Sequence, residues 1–271
     1  SLQSGGKQRP YLVYAPRHLG PLPQPLVVAF HGARGDGPGF EKIAGLAKLA
    51  EREGFLLVYP EAVDKRWNDG RKEIGSTVDD LAFVDSLLDS LNREFNADPK
   101  RTYATGFSNG ALFSFRLACE RPKRFAAIAP VGANLGLALS QACKPELPTP
   151  VLNIVGEKDP LMPFGGGRIT GPFGGGNLGP VLSSDDTLAF WAAQNKCRDL
   201  PANRRGTLGK DGTAVDKTVY SQCAKGSQVA RYVIREGGHT WPGGWQYLRQ
   251  WIIGKTSQQL DASQAVWDFL S

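Results

Sequence analysis

Three residues in this chain combine a side-chain type and a setting suited to acyl transfer: Ser108, Asp159 and His239. Ser108 is the middle of Gly106-Phe107-Ser108-Asn109-Gly110, a G-x-S-x-G pentapeptide between the β-rich run 101–105 and the helix-forming run 111–118. A strand turning directly into a helix forces its central residue into a crowded backbone, and flanking glycines relieve the crowding. The hydroxyl then stands clear of the sheet, beside the N-terminus of the next helix. A neutral hydroxyl is a weak nucleophile until a base takes its proton. Histidine suits that task near neutral pH, its unperturbed pKa being about 6.5. Of the three histidines, His18 sits in an N-terminal loop and His31 ends an early strand, where a structural role is expected. His239 lies in Glu236-Gly-Gly-His-Thr-Trp-Pro-Gly-Gly244, directly after the last expected strand, and is the candidate base.

The base needs an acceptor that sets its tautomer. Asp159 in Val155-Gly-Glu-Lys-Asp-Pro160 ends a strand and precedes a proline turn; Glu157 is the nearest rival, with Asp185 and Asp186 behind it. The order Ser108, Asp159, His239 is that of α/β-hydrolases. A tetrahedral oxyanion needs backbone donors. Asn109 N–H, just after the nucleophile, is one candidate. Ala33 N–H, in the loop His31-Gly-Ala-Arg-Gly35, is the second, with Gly32 as its alternative.

These residues need a frame, and the chain alternates strand-like and helix-like apolar segments. Strands are expected at 9–15, 26–30, 55–59, 101–105, 126–131, 151–155, 213–221 and 228–235, and helices at 39–53, from Ser76 through Leu91, 111–118, 184–196 and 263–270. That alternation predicts one doubly wound, mostly parallel sheet in a single α/β domain over residues 1–271. Residues 165–179 hold eight glycines. They are expected to form a flexible surface loop or, lying just after the acid, a flap over the site.

The chain has 271 residues, a net charge of +6 and ordinary hydrophobic content of 41%. No apolar run reaches the ~18 residues of a membrane span. The basic residues are scattered pairs without an aromatic stripe, so nucleic-acid binding is not expected. The basic surface favours, at most, anionic material such as acidic polysaccharide. Four cysteines, none in a C-x-x-C arrangement, and three histidines give no zinc pattern, and no metal is expected. Their loop positions and even count predict disulfides Cys119–Cys143 and Cys197–Cys223, with four buried thiols as the alternative. Disulfides would place the protein outside the cytoplasm, secreted or periplasmic. The start at Ser1-Leu2, without Met or an apolar signal core, fits a mature or trimmed form and carries no address. The sequence leaves the oligomeric state open.

Phe30-His-Gly, the Gly-Phe-Ser-Asn-Gly-Ala elbow, the Gly-x-x-Asp-Pro turn and Gly-Gly-His-Thr-Trp-Pro-Gly-Gly together resemble the poly(3-hydroxybutyrate) depolymerase-like esterases, which include secreted feruloyl and acetylxylan esterases. The similarity runs from about residue 7 to 270. It implies an α/β-hydrolase fold, cofactor-free ester hydrolysis, and triad roles for Ser108, Asp159 and His239. Many relatives carry Cys after His-Gly where this chain has Ala33; a backbone donor survives that change. Trp67, Asn68 and Trp241 are candidate substrate walls, able to hold a phenolic acyl group or a polyester segment. The alternative is that Trp67 is an ordinary loop aromatic and that Trp241 packs inward. The expected substrates are small or polymer-attached esters, feruloyl or acetyl, on plant polysaccharide. A polyester depolymerase is the alternative within the class. A serine peptidase on the same fold and a non-enzymatic binding module are the readings outside it.

Overall fold

The computed structural model of the chain describes residues 1–171 and 176–271. Its first half runs β1 (Leu2–Ser4), β2 (Lys7–Arg9), β3 (Tyr11–Tyr14), β4 (Gln24–Phe30), α1 (Gly37–Ala44), α2 (Leu46–Glu53), β5 (Leu56–Pro60), α3 (Asp80–Phe95), β6 (Ala97–Phe107) and α4 (Asn109–Glu120). The second half continues with β7 (Ala127–Val131), α5 (Leu137–Ala142), β8 (Val151–Gly156), β9 (Gly167–Thr170), β10 (Asn177–Val181) and α6 (Ser184–Gln194). It closes with β11 (Ala202–Arg204), β12 (Ala214–Tyr220), β13 (Val229–Arg235), α7 (Gln250–Ile253) and α8 (Ala262–Leu270).

Nine strands form one sheet in the order β11-β12-β13-β8-β7-β6-β4-β5-β3. From β13 to β5 the neighbours are parallel. Antiparallel strands close both edges. Strands covered on both faces read as continuous apolar runs, and β4 does. Leu26, Val28 and Phe30 point to one face, against Leu87 and Leu91 of α3 and Phe113 of α4. Val27 and Ala29 point to the other, against Phe40 of α1 and Val266 of α8. Two helix layers on one mostly parallel sheet make the expected doubly wound α/β-hydrolase fold.

The helix expected over 39–53 is two helices. Gly45 takes φ 65°, and its N–H closes α1 on Glu41 O at 2.7 Å before α2 begins. The described part of the glycine-rich segment is an antiparallel hairpin rather than an irregular loop. In it β9 pairs with β10, Asn177 opposite Thr170 and Val181 opposite Gly167. Residues 172–175, expected to belong to that loop, lie outside the described residues. Both disulfides are present as paired from the sequence, with Cα separations of 5.2 Å for Cys119–Cys143 and 3.8 Å for Cys197–Cys223. Cys119–Cys143 anchors the end of α4, the helix behind the elbow, to the segment leading into β8.

Candidate active site

Ser108 sits at the turn from β6 to α4 with φ 56° and ψ −115°, a conformation costly for a residue with a side chain. The surroundings hold it there. Its N–H donates to Val131 O at 3.0 Å. A Cβ on Gly106 would lie 2.5 Å from the Gly110 carbonyl, and one on Gly110 would lie 2.0 Å from Phe30 O. The elbow is therefore pressed against the end of β4, which carries the loop with Gly32 and Ala33.

Asp159 occupies the turn after β8. Its Oδ1 accepts the N–H groups of Leu161 and Met162 at 2.8 and 2.7 Å, which leaves Oδ2 to face His239 Nδ1 at 2.6 Å. Both side chains are buried, 2% and 4% exposed, so this contact is shielded from water. The His239 loop is tied down by its N–H to Ile253 O and by the Tyr247 hydroxyl, which donates to His239 O at 3.1 Å. Burial, with the nearby Asp159 charge, pushes the Tyr247 hydroxyl well above the usual phenol range, so it stays a neutral donor. The rival carboxylates are engaged elsewhere. Glu157 accepts from the Glu236 N–H, Asp185 pairs with Arg231, and Asp186 belongs to the N-cap of α6 with Ser183.

Ser108, His239, Gly32 and Ala33 all line one cavity of about 450 Å³. Its remaining walls are mainly apolar: Phe40 and Ile43 from α1, Leu161 and Met162 after the acid, and Ile169 and Leu178 from the β9–β10 hairpin. His31 lies under the oxyanion-side loop. Its Nδ1 donates to Gly32 O at 2.8 Å while Nε2 accepts from the Ala62 N–H at 3.2 Å, an arrangement only the neutral ring can make. Burial pushes its pKa down, against the opposing pull of the Gly32 carbonyl and Glu61.

The aromatic walls expected from the sequence are elsewhere. Trp67 is fully buried. It stacks on Phe113 at 5.2 Å, and its indole N–H donates to His31 O at 3.0 Å. Trp241 is also fully buried, donating to Ser263 Oγ at 2.9 Å and packing edge-on against Phe40 at 5.2 Å, one layer behind the cavity. The Asn68 side chain donates to Val78 O at 2.8 Å and does not reach the cavity lining. An indole finds its largest gain in full burial once its single N–H has an acceptor, and both tryptophans have one.

Residues 67–71 instead form a strap on Asn109. The Asn109 side chain accepts from Trp67 N–H at 2.8 Å and donates to Trp67 O at 3.1 Å and Asp69 Oδ2 at 2.7 Å. Asp69 is paired, deep in the protein, with Arg71 at 2.6 Å, and Arg71 donates onward to Leu178 O of the hairpin. Sequence reasoning missed Asp69, Arg71 and the hairpin wall. Nothing local distinguishes this Asp and Arg from surface charges. Ile169 and Leu178 show only as apolar residues in a glycine-rich stretch.

Fold and site geometry define an α/β-hydrolase. Acetyl xylan esterase from Aspergillus awamori shares the fold at a TM-score of 0.61 and 17% identity, over 86% of this chain and 89% of that one. The chain belongs to the PHB depolymerase esterase family, whose model matches residues 10–146. NocK of Nocardia uniformis subsp. tsuyamanensis, assigned provisionally as an esterase, is 32% identical over 98% of this chain and 80% of its own length. Feruloyl esterase B of Piromyces equi is 26% identical over 84% of this chain, which spans 42% of that protein. A bifunctional acetylxylan esterase/xylanase of Neocallimastix patriciarum is 23% identical over 92% of this chain, which spans 34% of it. The chain is thus a carboxylic ester hydrolase. No helix of the described residues is long and apolar enough to cross a membrane.

Proposed function

We propose that this protein hydrolyses feruloyl- or acetyl-type esters, small or polymer-attached, through an acyl-enzyme on Ser108, with residues 1–271 working as one catalytic domain. His239 Nε2 takes the Ser108 proton as the hydroxyl oxygen attacks the ester carbonyl. Asp159 holds the proton of Nδ1 in place and stabilises the imidazolium that forms. The backbone N–H groups of Asn109 and Ala33 receive the oxyanion. The Asn109 N–H is free for this because the first N–H groups of a helix have no partner within it. His239 then protonates the leaving alcohol, and water repeats the attack on the acyl group with His239 again as base. The observation that carries this reading is the buried Asp159–His239 contact of 2.6 Å at the cavity that Ser108 lines.

The mainly apolar walls also suit a polyester segment, so a hydroxybutyrate oligomer is the second substrate class. Two disulfides support action outside the cytoplasm, and relatives named as a feruloyl esterase and an acetylxylan esterase/xylanase are consistent with it. The test compares kcat/KM on methyl ferulate, p-nitrophenyl acetate and a hydroxybutyrate oligomer for the native protein and Ser108→Ala. Loss of all hydrolysis in a folded variant is expected. Retention of about a tenth of the native kcat would end the nucleophile assignment, since triad deletions cost orders of magnitude.

A further inference from the structure

The cavity is mainly apolar, yet two guanidinium-bearing residues stand in its wall. Arg34 and Arg66 both line it, as do Gly32 and Ala33. One backbone tie brings their segments together: the Arg34 N–H donates to Lys65 O at 2.8 Å. Arg34 is exposed and Arg66 half-buried. Among the described residues neither side chain makes an ion pair or a hydrogen bond, whereas most buried or half-buried arginines here do: Arg9 with Asp80, Arg71 with Asp69, Arg121 with Asp85. The cavity's carboxylate, Asp36, is already engaged. It caps α1 through the Gly39 N–H at 2.9 Å and faces Lys65 Nζ at 3.4 Å.

The backbone adds a second observation. Arg34 takes φ 66°, a left-handed conformation in which glycine is the cheap residue. A long cation is held there, one residue beyond the proposed oxyanion donor Ala33. Strain of this kind persists where the surroundings impose it and clusters at ligand-binding positions.

Resting on the ester-hydrolase reading, we propose that Arg34 and Arg66 form an anion-binding rim and that the preferred substrates are esters carrying a free carboxylate near the scissile bond. The apolar walls hold the uncharged part of the molecule, and the planar guanidinium groups receive the carboxylate. An acid-terminated hydroxyacyl oligomer and an ester on an acidic sugar share this chemistry. They differ in whether the charge sits on the acyl or the alcohol side.

Two matched substrate pairs separate these cases. In 3-acetoxybenzoate and 3-acetoxybenzamide the charge lies on the leaving alcohol. In p-nitrophenyl hydrogen glutarate and p-nitrophenyl pentanoate it lies on the acyl group. The readout is the charged-to-neutral ratio of kcat/KM, normalised to alkaline hydrolysis, for the native protein, Arg34→Gln, Arg66→Gln and the double variant. For one pair the native ratio should exceed that of the double variant by about ten-fold or more, the scale of a charge-assisted hydrogen bond. The native ratio should also fall as salt rises. The pair that responds tells on which side the carboxylate sits. Arg34→Gly removes the charge while relaxing φ, so the same drop in ratio there separates charge from strain. Equal ratios in native and double variant for both pairs overturn the anion rim. Failure of the native protein to hydrolyse even the neutral esters would instead overturn the ester-hydrolase reading.

Discussion

At Gly110 a Cβ would stand 2.0 Å from Phe30 O, and at Gly238, one residue before the candidate base, 2.1 Å from Ile253 O. At Gly165, which precedes β9, and Gly176, which directly precedes β10, it would meet nothing within 4 Å. Both regions are rich in glycine, but the physical reason differs. Around the elbow and the histidine loop the missing side chain lets two backbones touch, which fixes Ser108 and His239 relative to the sheet. At Gly165, Gly167 and Gly176 the missing side chains leave space, while Gly166 and Gly179 are closely approached, and the wall is held by strand pairing and by Arg71 reaching Leu178 O. The closely packed regions hold the candidate nucleophile and base, and the hairpin supplies Ile169 and Leu178 to the cavity wall.

That contrast can be broken at its strong end first. Gly110→Ala should destroy both fold and activity, because a backbone overlap of this kind has no flexible side chain to yield and belongs with losses above about 4–5 kcal/mol. A soluble, active Gly110→Ala would show that the elbow can move. Next, Asp159→Asn should lower kcat by about 10⁴-fold in a protein that still folds, since His239 loses the acceptor that sets its tautomer. Glu157→Gln should stay near native. The reverse ranking would relocate the acid.

A smaller effect is expected from His31, whose folded pKa is lowered by burial. The unfolded chain then binds this proton more readily. Its contribution is complete above the ordinary histidine pKa of about 6.5 and is lost as pH falls below that towards the folded pKa, by at most about 1.4 kcal/mol per pH unit for one proton. Melting temperature against pH should carry a component over that window that His31→Gln removes. Identical slopes would leave His31 without this role. Last, Gly165→Ala should leave activity intact and shift stability by less than about 1 kcal/mol, since nothing opposes the added methyl. A loss comparable to Gly110→Ala would erase the distinction between the two regions.

The sheet and its order of elements were legible in the sequence because most central strands, such as β4, β5 and β8, are short apolar runs with helix-forming stretches between them. The elbow was legible for a related reason: Gly106 and Gly110 answer a backbone demand that leaves few alternatives. Asp159 and His239 could be placed because strands 8 and 13 end just before them. The disulfide pairs followed from the elements flanking each cysteine. Trp67 and Trp241 could not be read, since an indole beside a catalytic loop looks the same in sequence whether it faces outward or inward. The outcome rests on distant partners, His31 O for one and Ser263 for the other. The hairpin was hidden because glycine-rich composition suits an irregular loop as well as a paired turn. The split at Gly45 shows the same ambiguity within a helix.

In the sheet, β6 and β13 are separated only by β7 and β8, about 14 Å at the usual strand spacing of ~4.8 Å. In the chain, a large part of the sequence lies between Ser108 and His239. Neither disulfide spans that interval, as Cys119–Cys143 and Cys197–Cys223 each close a loop inside it. Local helices and hairpins can form early, but parallel pairing of remote segments must first overcome loop-closure entropy and is intrinsically slow. A chain diluted from denaturant should therefore regain helical signal before it regains turnover. With Ser108 and His239 acting together as proposed, returning turnover would time the docking of β13 on β8.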